Sequence, residues 1–419
     1  MLLKTADYLD KRKEMLIIKN ILLITQNFTP EIGSAANRIT LISKYLNEKY
    51  KVTVLTIEPQ YPTSELYENI YDWQEKNDDN LKIIRIRTSK KKSKRFLILR
   101  LSLYLEVFIK LLKVIKKDIG NEKYDFIFVS SPPLSIPLLG IYAKYKFQAK
   151  LILDVRDLWP ETLKAINGVF FIIIRYISYP IERIIYKKSD TIIVNSEAFI
   201  PYIHDITGYD KDIVYIPNSL TREEFNHFKK NKKSDSIQII YAGNLGVAQD
   251  LRVFLALAAY LKDNNKVSFI LIGYGIYQNK IIDTIREKKL LNVKLLNPEP
   301  RKKTLKRMYE SDIAYMGLEN QTVFQTVTPG KLIDYMGTGL PVIGLTYGHS
   351  RKIIEEAKAG VVLNAEDGID VWIKEVEKLI YCSDTRMFYG NNAREYAYEH
   401  FNWDNNKHLL RKVFENTDE

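Results

Sequence analysis

Short apolar runs alternate with longer helix-like segments along almost the whole chain. A first series of runs lies at residues 21–25, 52–57, 81–86, 126–130, 151–155, 191–195 and 213–216. A second series lies at residues 237–242, 267–272, 293–296, 312–316, 341–345 and 360–363. The runs lack polar alternation, which is typical of strands buried on both faces of a parallel sheet. The pattern predicts an α/β protein with two doubly wound, Rossmann-like domains that face a cleft, with ligands beyond the carboxyl ends of the strands.

A polar, lysine-rich stretch separates the two series of runs. We interpret residues 218–236 as a linker between an N-terminal domain at 1–217 and a C-terminal domain at 237–393. Residues 394–419 are predicted to form a helical segment that crosses back to the N-terminal domain. Residues 1–14, ahead of Met15 and the first apolar run, are a candidate extension. A chain of 419 residues is too long for one core, which agrees with two domains.

Composition narrows the classes of partner and cofactor. The net charge of +12 is compatible with nucleic acid, an anionic membrane or a phosphorylated ligand. Cys382 is the only cysteine, which suits a reducing cytoplasm. The scattered histidines lack metal-ligand spacing, so we expect no metal. No run of about 20 apolar residues is present, so we expect no membrane-spanning helix.

Glycine turns follow the first strands of both predicted domains. Gly33 lies between the first run and a helix pattern. Gly243 and Gly246 flank Asn244 after the first run of the second domain, and Gly273 closes the next run. Glycine lets backbone approach a ligand, and free amides at helix starts favour an anion such as a diphosphate. A plain structural turn is the alternative at each position.

The segment TVFQTVTPGKLIDYMGTGLPVIG, residues 322–344, carries the most information. Gly330 and its neighbouring proline can end one element just before a helix. Lys331 in the first turn opposes the helix dipole, which indicates a nearby anion. Asp334 lies one turn later on the same helix face and can accept hydrogen bonds from ribose hydroxyls. A solvated ion pair between Lys331 and Asp334 is the alternative.

This segment resembles the P-S-K-L-x-E-Y-M-A-x-G-x-P-V-I signature of glycosyltransferase family 4, and more narrowly the WbuB-like bacterial enzymes of O-antigen and capsule synthesis. Further stretches resemble motifs of that group in the same order: PEIGSAANR, SSPPLSIPLLG, LDVRDLWPETL, IPNSLTREEF, YAGNLGVAQDL and LNPEPRKKTLKRMYESDIAYMGL. The resemblance implies the GT-B fold and a metal-independent, retaining hexosyltransferase (EC 2.4). It also implies a UDP-sugar donor, with an N-acetylated hexosamine expected, and a polyprenyl-diphosphate-linked or saccharide acceptor.

The resemblance also distributes roles among residues. The expected donor-binding set is Gly33, Gly243, Asn244, Gly246, Gln249, Gly273, Asn297, Pro298, Thr328, Gly330, Lys331 and Asp334. Asn297 and Pro298 are expected beside the base. Asn244 and Gln249 stand at about the places where many family members carry Arg and Lys. The missing positive charge is therefore expected from Lys331 or Arg38.

Two further positions depart from the family pattern. The second acid of the family's E-x7-E pair matches Asp334, whereas the first falls at or near Thr326. The usual N-terminal histidine is absent, so Asp157 is the predicted catalytic residue facing the reacting centre, together with Lys331 at the leaving group. A structural cap or an ion pair with Arg156 is the alternative role of Asp157. Arg38 and Arg156 are the expected contacts to acceptor or phosphate.

Two apolar segments predict contact with an anionic membrane. Residues 90–117 place a basic cluster at 90–95 before an apolar helix pattern, and residues 166–188 form a second apolar stretch. Such helices can lie in the headgroup region of a bilayer, although either could instead face the core. We expect a cytoplasmic protein attached peripherally to the inner face of the cell membrane.

Two other functions are compatible with parts of the sequence. A UDP-N-acetylglucosamine 2-epimerase would share the fold, but we cannot place its catalytic carboxylates and histidines. A basic nucleic-acid-binding protein would share the charge, but no RNA- or DNA-binding motif is present, so we expect no nucleic acid partner.

Overall fold

The computed structural model describes residues 18–67, 80–90, 97–166, 168–226 and 236–416. The candidate extension 1–14 and residues 91–95 of the predicted basic cluster lie outside these ranges.

The N-terminal domain is built on a seven-stranded sheet in the order β3-β2-β1-β4-β5-β6-β7, with every pair parallel. Its strands are β1 (Asn20–Ile24), β2 (Lys51–Ile57), β3 (Leu81–Ile86), β4 (Phe126–Ser131), β5 (Lys150–Val155), β6 (Thr191–Val194) and β7 (Asp212–Tyr215). Its helices are α1 (Ser34–Asn47), α2 (Leu97–Lys117), α3 (Ser135–Phe147), α4 (Val169–Lys188) and α5 (Ile200–Thr207). Short 3-10 helices lie at Ser64–Tyr67, Glu161–Ala165 and Glu197–Phe199.

The C-terminal domain is built on a six-stranded sheet in the order β10-β9-β8-β11-β12-β13, again parallel throughout. Its strands are β8 (Ile237–Asn244), β9 (Val267–Tyr274), β10 (Val293–Leu296), β11 (Ile313–Gly317), β12 (Val342–Leu345) and β13 (Gly360–Leu363). The helices that follow β7 are α6 (Arg222–Asn226), α7 (Arg252–Tyr260), α8 (Gln278–Glu287), α9 (Arg301–Glu310), α10 (Thr322–Gln325), α11 (Gly330–Gly337), α12 (Gly348–Glu356), α13 (Ile369–Tyr381), α14 (Ser383–His400) and α15 (Trp403–Asn416).

The predicted fold class is confirmed. All thirteen predicted runs are strands, and no bound differs by more than two residues. The runs were readable because helices cover both faces of each sheet, so nearly every residue of the inner strands is apolar. In β4, for example, all six residues are buried.

The chain passes between the domains twice, and the two crossings lie side by side. On the first passage the Leu220 N–H donates to the Phe401 carbonyl, and on the second the Trp403 N–H donates to the Leu220 carbonyl, both at 3.0 Å. The Asn406 side-chain amide donates to Ser219 Oγ at 2.7 Å. The two crossing segments are therefore joined to each other by backbone hydrogen bonds.

Two helices lie near the predicted domain bounds. The segment predicted as a linker, 218–236, contains α6, which packs on the C-terminal domain through buried Phe225. The segment predicted to cross back began at residue 394, whereas α14 runs on in the C-terminal domain to His400. The helix that packs on the N-terminal domain is α15.

The helix α15 completes the core of the N-terminal domain. Leu410 and Phe414 are fully buried in the same apolar cluster as Phe126 and Phe128. The Phe414 ring meets the Phe126 ring edge-on, with centroids 5.1 Å apart. Aromatic contacts of this kind add to the free energy gained by burial.

We therefore expect Phe414→Ala to destabilise the N-terminal domain, because it leaves a cavity among Phe126, Phe128 and Tyr50. Loss of a buried Phe side chain lowers the free energy of unfolding by about 3–5 kcal/mol. Urea unfolding followed by circular dichroism measures it. The matched control is Phe388→Ala on α14, whose side chain is 53% exposed. Equal shifts of the two unfolding midpoints would contradict this role of α15.

Candidate active site

The carboxyl ends of the two sheets face each other, and two of the contacts between them involve residues of the expected site. After β6, the Ser196 hydroxyl donates to the Thr326 carbonyl at 2.6 Å, and Thr328 Oγ1 donates to Ser196 Oγ at 3.2 Å. After β1, Ser34 lies so close to Gly330 that a Cβ added there would be 3.1 Å from the Ser34 Cβ. Thr328, expected in the donor site, is thus buried in a contact between the domains.

Two helix N-termini meet at the second of these contacts. The helix α1 begins at Ser34 after Gly33, and α11 begins at Gly330 after Pro329. Neither N-cap residue offers a side-chain hydrogen bond to the first amides. Unsatisfied N–H groups carry partial positive charge, so an anion between these helix ends is favoured.

Gly33 itself makes room for a neighbouring ring. Its φ of 171° is an extended conformation that any residue adopts. A Cβ at this position would lie 3.0 Å from the Tyr61 ring. Gly33 stands at the expected start of α1, and the close Tyr61 ring accounts for the lack of a side chain there.

The amine of Lys331 lies against neutral partners. Its Nζ is 4.4 Å from the centroid of the Tyr241 ring and donates to the Tyr241 hydroxyl at 3.2 Å and to the side-chain oxygen of Gln249. Within the described ranges Lys331 forms no ion pair, and burial lowers its pKa to about 7. Burial thus disfavours the charged form of this amine, and an anionic ligand beside it would stabilise that form.

The loop after β8 surrounds this amine. The Tyr241 hydroxyl donates to the Asn244 carbonyl at 2.6 Å, and a Cβ at Gly243 would be 3.3 Å from Lys331 Cδ. The structure therefore brings Gly243, Asn244, Gln249 and Lys331 together, with Gly246 in the same turn. Residues 243–250 of this loop include no Lys or Arg. The hydrogen bond to Gln249 holds the Lys331 amine beside the loop, where the amine supplies positive charge when it is protonated.

Gly273 supports this loop from the neighbouring strand. A Cβ at Gly273 would lie 2.3 Å from the Gly243 carbonyl oxygen, and one at Gly275 would lie 2.2 Å from the Leu245 carbonyl oxygen. Both glycines thus allow β9 to end directly beneath the loop. Asn297, which is exposed, and Pro298 follow β10 at the edge of the same sheet.

Asp334 is held by an arginine that sequence reasoning missed. The Arg301 guanidinium donates to Asp334 Oδ1 at 2.9 Å and to Oδ2 at 3.1 Å, and its other edge donates to Glu224. The predicted alternative of an ion pair between Lys331 and Asp334 is therefore wrong. Arg301 is the first residue of α9, so it opposes a helix dipole as Lys331 does, and that signal was readable.

On the N-terminal side, Arg38 lies beneath the cleft surface. Its Nε and Nη2 donate to Asp154 Oδ1 at 3.0 and 2.8 Å, with both side chains almost fully buried. Ser130 Oγ donates to the other oxygen of Asp154 at 3.1 Å. The guanidinium keeps one buried nitrogen, Nη1, without a partner. Its expected contact with acceptor or phosphate stays a prediction, since two of its five N–H groups already donate to Asp154.

Arg156 and Asp157 follow β5 at the same edge. Arg156 donates to Ser130 Oγ at 2.8 Å and to the Pro132 carbonyl at 2.6 Å. Asp157 accepts no hydrogen bond from the described residues and caps no helix. Burial raises its pKa to about 6, although the charge of Arg156 opposes that shift. Asp157 is thus no helix cap in this structure, whereas the charge of Arg156 acts on it without a hydrogen bond between the two side chains in the described part of the chain. Its catalytic role stays a prediction.

The two predicted membrane segments differ in the structure. The helix α2 buries Leu103, Val107 and Leu111 in the core of its domain and exposes Leu105 and Ile109. Membrane contact of residues 90–117 stays a prediction. In α4, by contrast, the N-terminal half exposes apolar side chains, including Ile173 and Ile177. Among the helices that the structure describes, none is both long and apolar enough to cross a bilayer.

No metal site is evident in the described part of the chain. Over those residues, no three His, Cys, Asp or Glu side chains converge on a point that could hold an ion. The metal independence expected from the sequence stays a prediction.

Comparison with known families assigns the chain to a class of enzyme. The family model "Glycosyltransferase Family 4" matches residues 35–224, and the model "Glycosyl transferases group 1" matches residues 222–396. The chain is a GT-B glycosyltransferase. The assignment favours glycosyl transfer over the epimerase and nucleic-acid-binding alternatives.

Relatives and solved structures agree with this glycosyltransferase assignment. An uncharacterized glycosyltransferase of Methanocaldococcus jannaschii is 26% identical over 308 residues, which cover 70% of this chain and 75% of the relative. Sucrose-phosphate synthase from Thermosynechococcus elongatus has a TM-score of 0.72 at 14% identity and covers 95% of this chain and 99% of its own. Anabaena HepE in complex with UDP-glucose has a TM-score of 0.67 at 14% identity, with the same coverage.

The close approach at Gly273 yields a stability prediction for this glycosyltransferase. Gly273→Ala should displace the Gly243 carbonyl, because the added methyl has no space, and overpacking costs about 1–3 kcal/mol. Thermal unfolding measures the loss. Gly368→Ala is the matched control, since a Cβ at Gly368 meets nothing within 4 Å. A melting temperature that is equally unchanged in both variants would contradict the packing of β9 against the loop.

Proposed function

We propose that this glycosyltransferase moves a sugar from a UDP-sugar, with retention of configuration, to a lipid-linked or saccharide acceptor in bacterial surface polysaccharide synthesis. An N-acetylated hexosamine is the proposed sugar. The observation that carries the donor class is the Lys331 amine, which lies beside the Gly243–Gly246 loop with no counter-ion among the described residues. HepE, which shares the fold, was solved with UDP-glucose, and that supports UDP as the nucleotide.

The proposed chemistry stabilises a leaving diphosphate. As the bond from the anomeric carbon to the donor breaks, negative charge grows on the phosphate oxygens and the sugar becomes oxocarbenium-like. In this scheme the negative charge is stabilised by the Lys331 amine, by the backbone amides of the Gly243–Gly246 loop and by the N-terminus of α11. Because such donors are already oriented and largely dry, they stabilise charge more strongly than water does. No step of this scheme requires a metal.

The remaining roles follow the order of residues around the cleft. Asp334 is proposed to accept hydrogen bonds from the ribose hydroxyls, and Asn297 and Pro298 to lie beside the base. Asp157 is proposed to face the reacting centre, because it is an acid without hydrogen-bond partners among the described residues at the carboxyl end of β5. Its pKa of about 6 leaves it mostly ionised at neutral pH, where it can favour positive charge on the sugar. We assign no covalent nucleophile.

Lys331→Ala should lower kcat by about 10²–10³, because it removes a charged donor to the leaving group. Release of UDP from a panel of UDP-sugars measures it. The matched control is Lys378→Ala on α13, where the amine is exposed and pairs with Glu375. Turnover within a factor of two of the parent enzyme would mean that another cation stabilises the diphosphate, and failure of the parent enzyme to bind UDP by calorimetry would reject the donor.

We further propose that α4 attaches the enzyme to an anionic membrane. Its N-terminal half exposes Val169, Phe170, Ile172, Ile173, Tyr176 and Ile177. Arg175, Arg183, Lys187 and Lys188 on the same helix supply cations. An apolar face with basic residues favours the headgroup region of anionic lipid.

The position of this surface relative to the cleft supports a lipid-linked acceptor. The helix α4 follows the 3-10 helix Glu161–Ala165, which contacts α10 of the other domain. The N-terminal end of α4 therefore begins a few residues after a contact between the two domains. Docking through the exposed half of α4 would bring the acceptor side of the cleft close to the bilayer, where a polyprenyl diphosphate is held.

The double variant Ile173→Gln/Ile177→Gln should bind anionic vesicles at least about tenfold more weakly, since two half-buried apolar contacts contribute on the order of 1 kcal/mol each. Flotation with vesicles containing phosphatidylglycerol, at low and at 1 M salt, measures the partition coefficient. High salt should weaken the electrostatic share. The matched control is Met387→Gln/Phe388→Gln, a pair that is equally exposed on α14. Equal loss in both double variants would reject α4 as the docking helix.

A further inference from the structure

Arg301 joins two carboxylates that come from different parts of the chain. Its Nε and Nη2 donate to Glu224 at 2.5 and 3.3 Å, and its Nη2 and Nη1 donate to Asp334 at 2.9 and 3.1 Å. About four-fifths of each of the three side chains is buried. A planar guanidinium can form two such forks at once, whereas a lysine amine cannot.

The far end of this bridge is rigid. Glu224 and Thr221 form a reciprocal cap at the start of α6: the Thr221 N–H donates to Glu224 Oε2 at 2.9 Å, and the Glu224 N–H donates to Thr221 Oγ1 at 3.2 Å. The Tyr309 hydroxyl donates to the Glu224 carbonyl at 3.0 Å, which ties α6 to α9. Arg301 is therefore fixed on the side away from Asp334.

The geometry leaves Asp334 with free acceptor capacity. Each of its two oxygens accepts one hydrogen bond from Arg301, and an ionised carboxylate oxygen has room for about two. Counting partners from the described residues, one position on each oxygen stays open. A ribose presents two neighbouring hydroxyls, which match two adjacent acceptor positions.

The charges around Asp334 explain why the bridge is needed. Burial raises the pKa of Asp334, Glu224 raises it further, and Arg301 opposes both effects. Arg38 of α1 lines the same small cavity between the domains and is the other charged group on that side. Without the guanidinium, nothing from Arg301 would oppose the effects of burial and of Glu224, so the protonated form of Asp334 would be favoured.

We propose that Arg301 is a positioning residue for donor binding: it fixes the Asp334 carboxylate as a charged acceptor aimed at the ribose hydroxyls. This inference rests on the proposed UDP-sugar site. Arg301 itself contacts neither the diphosphate nor the reacting atoms in this scheme. Its removal changes binding through the ionisation and orientation of Asp334.

The test is the affinity for UDP, measured by calorimetry between pH 5.5 and 8.5. Arg301→Gln should bind UDP about 10- to 100-fold more weakly than the parent enzyme near pH 6, the loss expected for a charged hydrogen bond. The deficit should shrink as pH rises, because Asp334 then loses its proton. Lys331 and UDP also titrate in this range, so the ratio of the two affinities at each pH is the quantity compared.

Glu224→Gln gives the opposite shift and does not depend on removing the arginine. It deletes the like charge, so the acid limb of UDP binding should move to lower pH. The double variant Arg301→Gln/Glu224→Gln should recover part of the affinity lost in Arg301→Gln. Arg301→Lys, which keeps the charge but loses the fork, should lie between the parent enzyme and Arg301→Gln.

Arg351→Gln on α12 is the matched control, since Arg351 pairs with Glu355 and is not connected to Asp334. It should bind UDP like the parent enzyme. Arg301→Gln that melts at lower temperature but keeps the parent affinity at every pH would show a merely structural role and overturn the proposal. An unchanged acid limb in Glu224→Gln would overturn it too. Absence of UDP binding by the parent enzyme would instead reject the proposed donor.

Discussion

Strands that run parallel deliver all their carboxyl ends to one edge of a sheet, and here two such edges face each other. Every loop considered for function follows from that constraint: the turns after β1, β4, β5 and β6 on one side, and those after β8, β9, β10 and β11 on the other. The contact of Gly330 with Ser34 then sets how close the edges come. Two helix N-termini and a buried amine consequently lie within one narrow space.

Positive and negative charge are distributed unevenly along that space. At Lys331 one cation has only neutral neighbours, whereas around Arg301 one cation serves two carboxylates. A nucleotide-sugar has the complementary pattern, with a charged diphosphate beside an uncharged ribose that offers hydroxyl donors. The arrangement of charge in the C-terminal domain is therefore compatible with the proposed donor site, in which the diphosphate lies at Lys331 and the ribose at Asp334.

Strand positions and glycine turns were predictable because burial on both faces leaves an unmistakable apolar run, and because Gly, Lys and Asp stood at particular places after those runs. The orientation of helices was not. The sequences of α2 and α4 are similar in apolar content, yet Leu103 faces the core and Ile177 faces solvent, a difference that depends on the neighbours each helix meets in the fold. The partnership of Arg301 with Asp334 was hidden for the same reason, since the two residues lie on separate helices.

The packing of α15 has a consequence for folding during synthesis of the chain. Phe414 covers Phe126 and Phe128, yet it follows the last strand of their sheet by about 200 residues along the chain. Residues 216 to 414 take roughly 10–40 seconds to synthesise at about 5–20 residues per second. During that time Phe126 and Phe128 of the seven-stranded sheet are not covered by Phe414. All six strands of the C-terminal sheet are synthesised before Phe414. The core of the N-terminal domain can therefore be completed only after the C-terminal domain has been synthesised.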